Sequence, residues 1–158
     1  MKNDPGMEAW RAFLTAHARV TELLEDELER EKRLPLSWYD VLVQLQEADE
    51  HRLRMTELAG LVLLSKSGLT RLVDRMCAYG LVDRSADPED RRGRWVSLTD
   101  AGHARLKAAA PVHLRGVREH FIRHLEGEDA AHLARALGAV VAAARMTKLD
   151  DSLGRTKK

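Results

Sequence analysis

The sequence predicts a mainly α-helical protein built around a small module of helices and one β-hairpin. Three observations lead to this prediction. Only two short runs read as strands, residues 81–86 and 94–99, and the turn between them contains proline, glycine and two arginines. The preceding segment, from Lys66 to about Ala78, has one apolar and one polar face at the helical period. Long amphipathic segments lie on both sides of this module.

Length and composition narrow the class of protein. A chain of 158 residues fits one ordinary domain. Cys77 is the only cysteine, so no disulfide can form within the chain. The first residues lack the apolar run of a signal peptide, and no apolar stretch approaches the roughly 20 residues that span a bilayer. The composition therefore predicts a cytoplasmic protein.

The charge is distributed unevenly although the net charge is only +1. Residues 1–51 hold six Lys/Arg against twelve Asp/Glu, which gives −6. Residues 52–95 hold nine against six, which gives +3, and residues 96–158 hold eleven against seven, which gives +4. A polyanion such as DNA would therefore meet the middle of the chain rather than its N-terminal third.

The N-terminal half predicts three helices. Apolar residues recur at threes and fours from Met7 to about Glu31, and Pro35 is expected to end this first helix. Ser37 is expected to cap a second helix. Thr56 is expected to cap a short third helix over residues 57–63.

A fourth helix and the hairpin form the most informative stretch. Ser65 is placed to cap the helix, and Gly80 supplies a left-handed stop after it. The hairpin that follows has the form of a two-stranded wing. Helix, helix, helix and hairpin in this order predict a winged helix-turn-helix module over residues 36–100, with the fourth helix suited to the major groove of DNA.

Long helices flank the module. Thr99 is expected to cap a fifth helix that runs to about Leu125, and a sixth is expected from Glu128 to about Thr147. Residues 148–158 have the composition of a flexible tail. The apolar stripes of residues 7–34 and 101–147 need a partner, and a second copy is the simplest one. A two-fold dimer would place its reading helices roughly 34 Å apart, on a palindromic site.

One motif resembles a known family. The wing and the start of the fifth helix resemble the DxR and LTxxG signature of the MarR family of transcription regulators. The matching residues are Asp90 and Arg92, followed after five residues by Leu98, Thr99 and, after two further residues, Gly102. The order of elements is also similar over nearly the whole chain, which makes 1–158 a single MarR-like domain. The resemblance implies a homodimer that binds double-stranded DNA, most often as a repressor.

The resemblance also implies site residues. The residue matching Arg92 would enter the minor groove, and the one matching Asp90 would steady the wing by pairing with an arginine. Arg71 or Arg75 would suit a guanine edge. The full set of expected DNA contacts is Ser65, Lys66, Ser67, Thr70, Arg71, Arg75, Arg91, Arg92 and Arg94. Asp74 lies on the same face and is expected to orient Arg71 or Arg75.

Relatives of this kind often bind small aromatic anions between the dimer helices and the winged module. The resemblance therefore implies an effector pocket. Aromatic and polar residues of the first two helices are candidates for its wall. These candidates are Trp10, His17, Trp38 and Tyr39. For Trp10 and Trp38, the favoured interpretation is that both are core residues of amphipathic helices.

Several alternatives accompany this interpretation. Trp95 is expected to pack across the hairpin, and Cys77 to be a small buried apolar residue rather than a redox sensor. His120 and His124 have metal-compatible spacing but lack a third ligand, so no metal or cofactor is predicted. No catalytic motif is present, which argues against an enzyme. A redox- or metal-responsive regulator of the same fold, or a winged-helix module that binds proteins instead of DNA, remains as the alternative.

Overall fold

The computed structural model describes residues 4–62, 66–88, 90 and 93–154. These residues form two compact units, one ending at Val117 and one beginning at Arg118. No helix among them is both long and apolar enough to cross a membrane. The elements are α1 (Pro5–Lys32), α2 (Leu36–Glu47), β1 (Arg52–Arg54), α3 (Met55–Leu61), α4 (Lys66–Ala78), β2 (Val82–Ala86), β3 (Arg94–Leu98), α5 (Asp100–His120) and α6 (Asp129–Gly154).

Both ends of α1 are capped. The side chain of Asp4 accepts a hydrogen bond from the Gly6 amide at 2.9 Å, and Pro5 occupies the first turn, where its missing N–H costs nothing. At the other end, Arg33 adopts a left-handed conformation. Arg105 of α5 donates to the carbonyl oxygens of Lys32 and Arg33. These bonds fix α5 against the end of α1.

Two predicted helix caps are wrong. Helix α2 begins at Leu36, before Ser37, because the Glu25 carboxylate accepts from the Leu36 amide at 2.8 Å and so takes the place of a local cap. Helix α3 begins at Met55, before Thr56, because the Glu57 side chain accepts from the Arg54 amide at 2.8 Å. In both cases a glutamate satisfies the first free N–H group.

The wing belongs to a three-stranded antiparallel sheet with the order β1-β3-β2. The prediction of two strands was therefore incomplete. Strand β1 pairs Leu53 with Val96, and β2 pairs Arg84 with the same residue from the other side. A run of three residues with charges at both ends is too short to register as a strand by its pattern alone.

The core of the first unit lies between the helices and this sheet. It includes Leu28 of α1, Leu42 of α2 and Val96 of β3, all fully buried. The apolar face predicted for α4 is confirmed as buried. Its members are Leu69, Leu72, Val73 and Met76. The opposite face of the same helix is thereby turned outward.

The Leu98-Thr99-x-x-Gly102 segment joins α5 to the turn that follows α4. Thr99 Oγ1 accepts from the Gly102 amide at 3.0 Å, which confirms the predicted cap, and it donates to the Gly80 carbonyl at 2.7 Å. A Cβ atom on Gly102 would lie 2.1 Å from the Leu81 carbonyl oxygen. Glycine is therefore required here because the two backbones touch.

The second unit departs from the prediction in its boundaries. Helix α5 ends at His120, short of Leu125, and a 3-10 helix spans Ile122–His124. His120 and His124 therefore lie in two different helices and do not have the i, i+4 spacing of one continuous α-helix. Helix α6 continues to Gly154, so residues 148–154 of the predicted tail are helical, and residues 155–158 lie outside the described chain.

Candidate nucleic-acid interface

The outer face of α4 carries the predicted reading residues. Thr70, Arg71 and Arg75 are exposed on it. Lys66 and Ser67 open the helix, but their side chains, like all of Ser65, lie outside the described residues. The buried stripe behind Arg71 and Arg75 holds the helix, so the two guanidinium groups project from a fixed surface.

Asp74 has a different partner from the one predicted. Its carboxylate forms an ion pair with Arg84 of β2 rather than orienting Arg71 or Arg75. A second nitrogen of Arg84 is 3.4 Å from the Thr70 carbonyl oxygen. The partner of Asp74 was predicted incorrectly because helical periodicity relates only residues of the same helix, and Arg84 lies on the neighbouring strand β2. Arg84 therefore connects α4 to strand β2 of the wing.

The base of the wing is closed by Asp87, a residue that was not predicted from the sequence. Its side chain is almost fully buried, and Arg54 Nε lies 2.8 Å from Asp87 Oδ2. The Asp87 amide donates to the Gly93 carbonyl at 3.2 Å. A Cβ atom on Gly93 would lie 2.8 Å from the Cβ atom of Asp87, so a small residue is needed for this closure.

Trp95 contacts two arginines of strand β1. The guanidinium carbons of Arg52 and Arg54 lie 4.8 Å and 5.1 Å from the centre of its ring. Both distances are in the range of cation–π contacts. Strand β2 places Ser85 opposite Trp95 in the register, and packing across the hairpin stays a prediction. The contacts with β1 were not predicted, because β1 had not been recognised beside β3.

The tip of the wing is described in part. Asp90 is exposed, and its carbonyl accepts from the Gly93 amide at 2.8 Å. Arg94 is exposed at the start of β3 and donates to the Gly93 carbonyl at 2.9 Å. Arg91 and Arg92 lie outside the described residues. The expected pairing of Asp90 with an arginine remains a prediction.

A cleft of about 710 Å³ opens in the first unit among α1, α2 and α5. It brings together two of the four residues suggested for an effector pocket, His17 and Tyr39. Trp38 is instead part of the core, where its ring meets Tyr79 edge to face at 5.1 Å. Trp10 is 52% exposed on α1 and is not among the described residues that line the cleft.

His113 of α5 also lines the cleft, although it was not predicted from the sequence. Its ring packs on Tyr39 with 4.4 Å between centroids, and its buried Nδ1 has no hydrogen-bond partner among the described residues. Burial lowers the pKa of His113 below its ordinary value of 6.5. Burial, and secondarily Glu47, raises the pKa of Tyr39, and burial raises the pKa of Asp40.

The lowered pKa of His113 predicts a pH-dependent stability. Below about pH 6.5 the unfolded chain binds a proton at His113 that the folded chain still excludes. The stability that the uncharged, buried His113 allows is therefore fully present above that pH. It is lost as the pH falls, because proton binding then favours the unfolded chain. Denaturant titrations from about pH 5 to about pH 7.5 measure it.

The His113→Phe variant keeps a ring against Tyr39 but has no titrating group, so its stability should depend less on pH over this range. His132→Gln changes an exposed histidine of α6 and serves as the control. An unchanged pH slope in the His113→Phe variant would contradict the assignment.

Cys77 lies at the end of α4, half-buried against the core. Burial raises the pKa of its thiol, an effect larger than the opposing influence of Arg84. A raised pKa reduces the thiolate fraction on which cysteine reactivity depends. The environment of Cys77 therefore favours a packing role.

Three helices, α2, α3 and α4, together with a sheet that carries a hairpin, define a winged helix-turn-helix protein. The last of these helices presents exposed arginines. A family model described as "MarR family" matches residues 34–93. AbsC, a MarR family transcriptional regulator from Streptomyces coelicolor, is 36% identical with a TM-score of 0.82 over 90% of this chain and 96% of its own. The chain belongs to the MarR family.

Other relatives agree with this assignment. Sco3205 from Streptomyces coelicolor, solved in complex with DNA, is 33% identical with a TM-score of 0.80 over 87% of this chain and 86% of its own. The transcriptional repressor YetL from Bacillus subtilis is 37% identical over 75 residues, 48% of this chain and 45% of YetL. The transcriptional regulator HosA from Escherichia coli is 37% identical over 82 residues, 52% of this chain and 60% of HosA. The chain thus matches about half the length of these two curated relatives.

Proposed function

We propose that this protein is a dimeric, DNA-binding transcriptional repressor that a small-molecule effector releases from a palindromic operator. The observation that carries the proposal is the outward face of α4, where Arg71 and Arg75 project beside the sheet that bears the wing. An arginine fork matches the acceptors of guanine in the major groove, and phosphates attract any exposed cation. Arg92 would enter the adjacent minor groove.

Exposed apolar surface supports the dimer. On α1, Trp10, Phe13 and Leu14 are all more than two-fifths exposed. On α6, Val140 and Val141 are more than half exposed. Apolar side chains in such numbers on helices indicate a surface that another chain covers. A second copy would also supply the second reading helix that a palindrome requires.

The cleft among α1, α2 and α5 is the proposed effector site. Its volume of about 710 Å³ is within the usual range of ligand pockets. An effector that binds more tightly to a dimer with wrongly spaced reading helices would shift the population toward that state. The loss of operator affinity then equals the effector's preference for that state and does not exceed it.

The test is selection of bound fragments from the source genome, followed by titration of the best fragment at several salt concentrations. A specific DNA binder should select a palindrome and bind it at least about a thousandfold more tightly than unrelated duplex. Its affinity should fall as a power of salt concentration.

A winged-helix module that binds only proteins would select no palindrome and show no steep salt dependence. Either result would refute the proposal. Sedimentation of the selected complex gives the number of chains on one operator, and a single chain would refute the dimer.

A further inference from the structure

The walls of the cleft are apolar, but its charged groups share one sign. Leu36, Val43, Leu106 and Leu114 supply apolar surface. Glu25, Asp40 and Glu47 supply carboxylates, and no lysine or arginine is present among the described lining residues. The cleft is therefore suited to a ligand with an apolar body and a complementary charge.

The three carboxylates differ in how far they are already satisfied. Glu25 accepts from the Leu36 amide and thus serves the start of α2. Asp40 is half-buried, and the Gln44 side chain favours its ionised form. Glu47 is exposed at the end of α2 and acts electrostatically on the Tyr39 hydroxyl. Asp40 and Glu47 are consequently the carboxylates with most capacity for a new partner.

The histidine at the inner wall does not offset this charge. Burial lowers the pKa of His113, so its imidazole is uncharged at neutral pH. His17 of α1 is the other imidazole that lines the cleft. The buried Nδ1 of His113 has no hydrogen-bond partner in the described chain. It offers a ligand one polar contact and no positive charge.

An aromatic wall completes the arrangement. The rings of Tyr39 and His113 pack against each other at an angle of 34°, and both residues line the cleft. The face of a tyrosine ring attracts cations, and the attraction is greater where water is partly excluded. Glu47 is close enough to influence the same tyrosine. An aromatic face and a carboxylate beside it together favour a cation over a neutral molecule.

We propose that the cleft binds a small organic cation with an apolar or aromatic body, in place of the aromatic anion that the family resemblance implies. This inference rests on the proposed function only in taking the cleft as the effector site. An anion would have to lose its water next to three carboxylates without a cationic side chain to compensate. A cation would gain ion pairs with Asp40 and Glu47 and contact with Tyr39.

Two dyes with the same xanthene core and opposite charges test the proposal on the full-length protein. Rhodamine 6G is cationic and fluorescein is anionic, and fluorescence anisotropy measures the binding of each. Rhodamine 6G should bind at least about tenfold more tightly, the ratio that one favourable partly buried charge contact supplies. Preference for fluorescein, or equal affinity, would overturn the proposal.

Charge variants locate the site. Glu47→Gln and Asp40→Asn should each weaken rhodamine 6G binding by about threefold to tenfold. Glu47→Arg should reduce or reverse the preference for the cation. The matched control is Asp26→Asn, which removes the same charge from the exposed surface of α1 outside the cleft. Equal losses in Asp26→Asn and Glu47→Gln would show binding to the general acidic surface and overturn the proposal.

Operator binding is measured separately with the fragment selected above. If rhodamine 6G binds but operator affinity does not change, the effector role of the cleft is refuted. The preference of the cleft for cations would still stand. Operator binding that persists in a protein preferring fluorescein would refute the cation proposal, while the DNA-binding function would stand. The two failures are therefore distinguishable.

Discussion

Replacing Gly102 with alanine should lower the free energy of unfolding by about 3 kcal/mol, the upper part of the usual range for overpacking a tight contact. The new Cβ atom would lie 2.1 Å from the Leu81 carbonyl oxygen and 2.8 Å from Leu98 Cδ1. A backbone oxygen does not rotate away as a side chain does. The start of α5 would have to move, which would strain the bond between Thr99 and the Gly80 carbonyl.

Chemical denaturation of the Gly102→Ala variant measures this loss, and a thermal scan should show a midpoint lower by about 10 °C. The matched control is Gly60→Ala in α3, where an added Cβ atom would contact nothing within 4 Å. That control should gain roughly 0.5 to 1 kcal/mol, because alanine loses less conformational freedom than glycine in a helix. Similar stabilities for the two variants would contradict the close contact at Gly102.

Removing both exposed arginines of α4 should have the largest effect on operator binding. A bidentate contact from arginine to guanine contributes about 1 to 3 kcal/mol, so Arg71→Ala with Arg75→Ala should weaken binding by about a hundredfold or more. Both side chains project from the face opposite the buried stripe of α4. Their loss should therefore leave the fold intact, which circular dichroism checks.

The single variants separate the two kinds of contact. A base-reading arginine loses discrimination at one operator position, whereas a phosphate-contacting arginine weakens all sequences alike and lowers the salt slope by about one. Arg11→Ala, which removes an exposed cation from α1, is the control. If Arg11→Ala matched the double variant, the reading surface would not lie on α4.

The helices were predictable from sequence where periodic burial determines them. Leu69, Leu72, Val73 and Met76 recur on one face of α4 and are buried, and the predicted limits of Lys66 and Ala78 are the observed ones. The strand ends at Ala86 and Arg94 were predictable for a similar reason, since a turn rich in proline and glycine separates them. Local pattern and local structure agree in these elements.

Contacts between distant segments were not predictable. Glu25 accepts a hydrogen bond from the first amide of α2, eleven residues further along the chain. Arg84 of β2 forms an ion pair with Asp74 of α4. Strand β1 is defined by its pairing with β3. None of these interactions leaves a periodic signal in the sequence. The cleft has the same origin, because His113 and Tyr39 meet only when α5 packs against α2.

The position of β3 at the centre of its sheet has a consequence for protein engineering. Since β3 is bonded on one side to β2 and on the other to β1, the wing is held at its base from two directions. Its tip, between Asp87 and Gly93, should then be exchangeable with the tips of related proteins without altering the angle at which the wing leaves the body. A change of length in residues 48–51, just before β1, should instead re-aim the whole hairpin while leaving its sequence untouched.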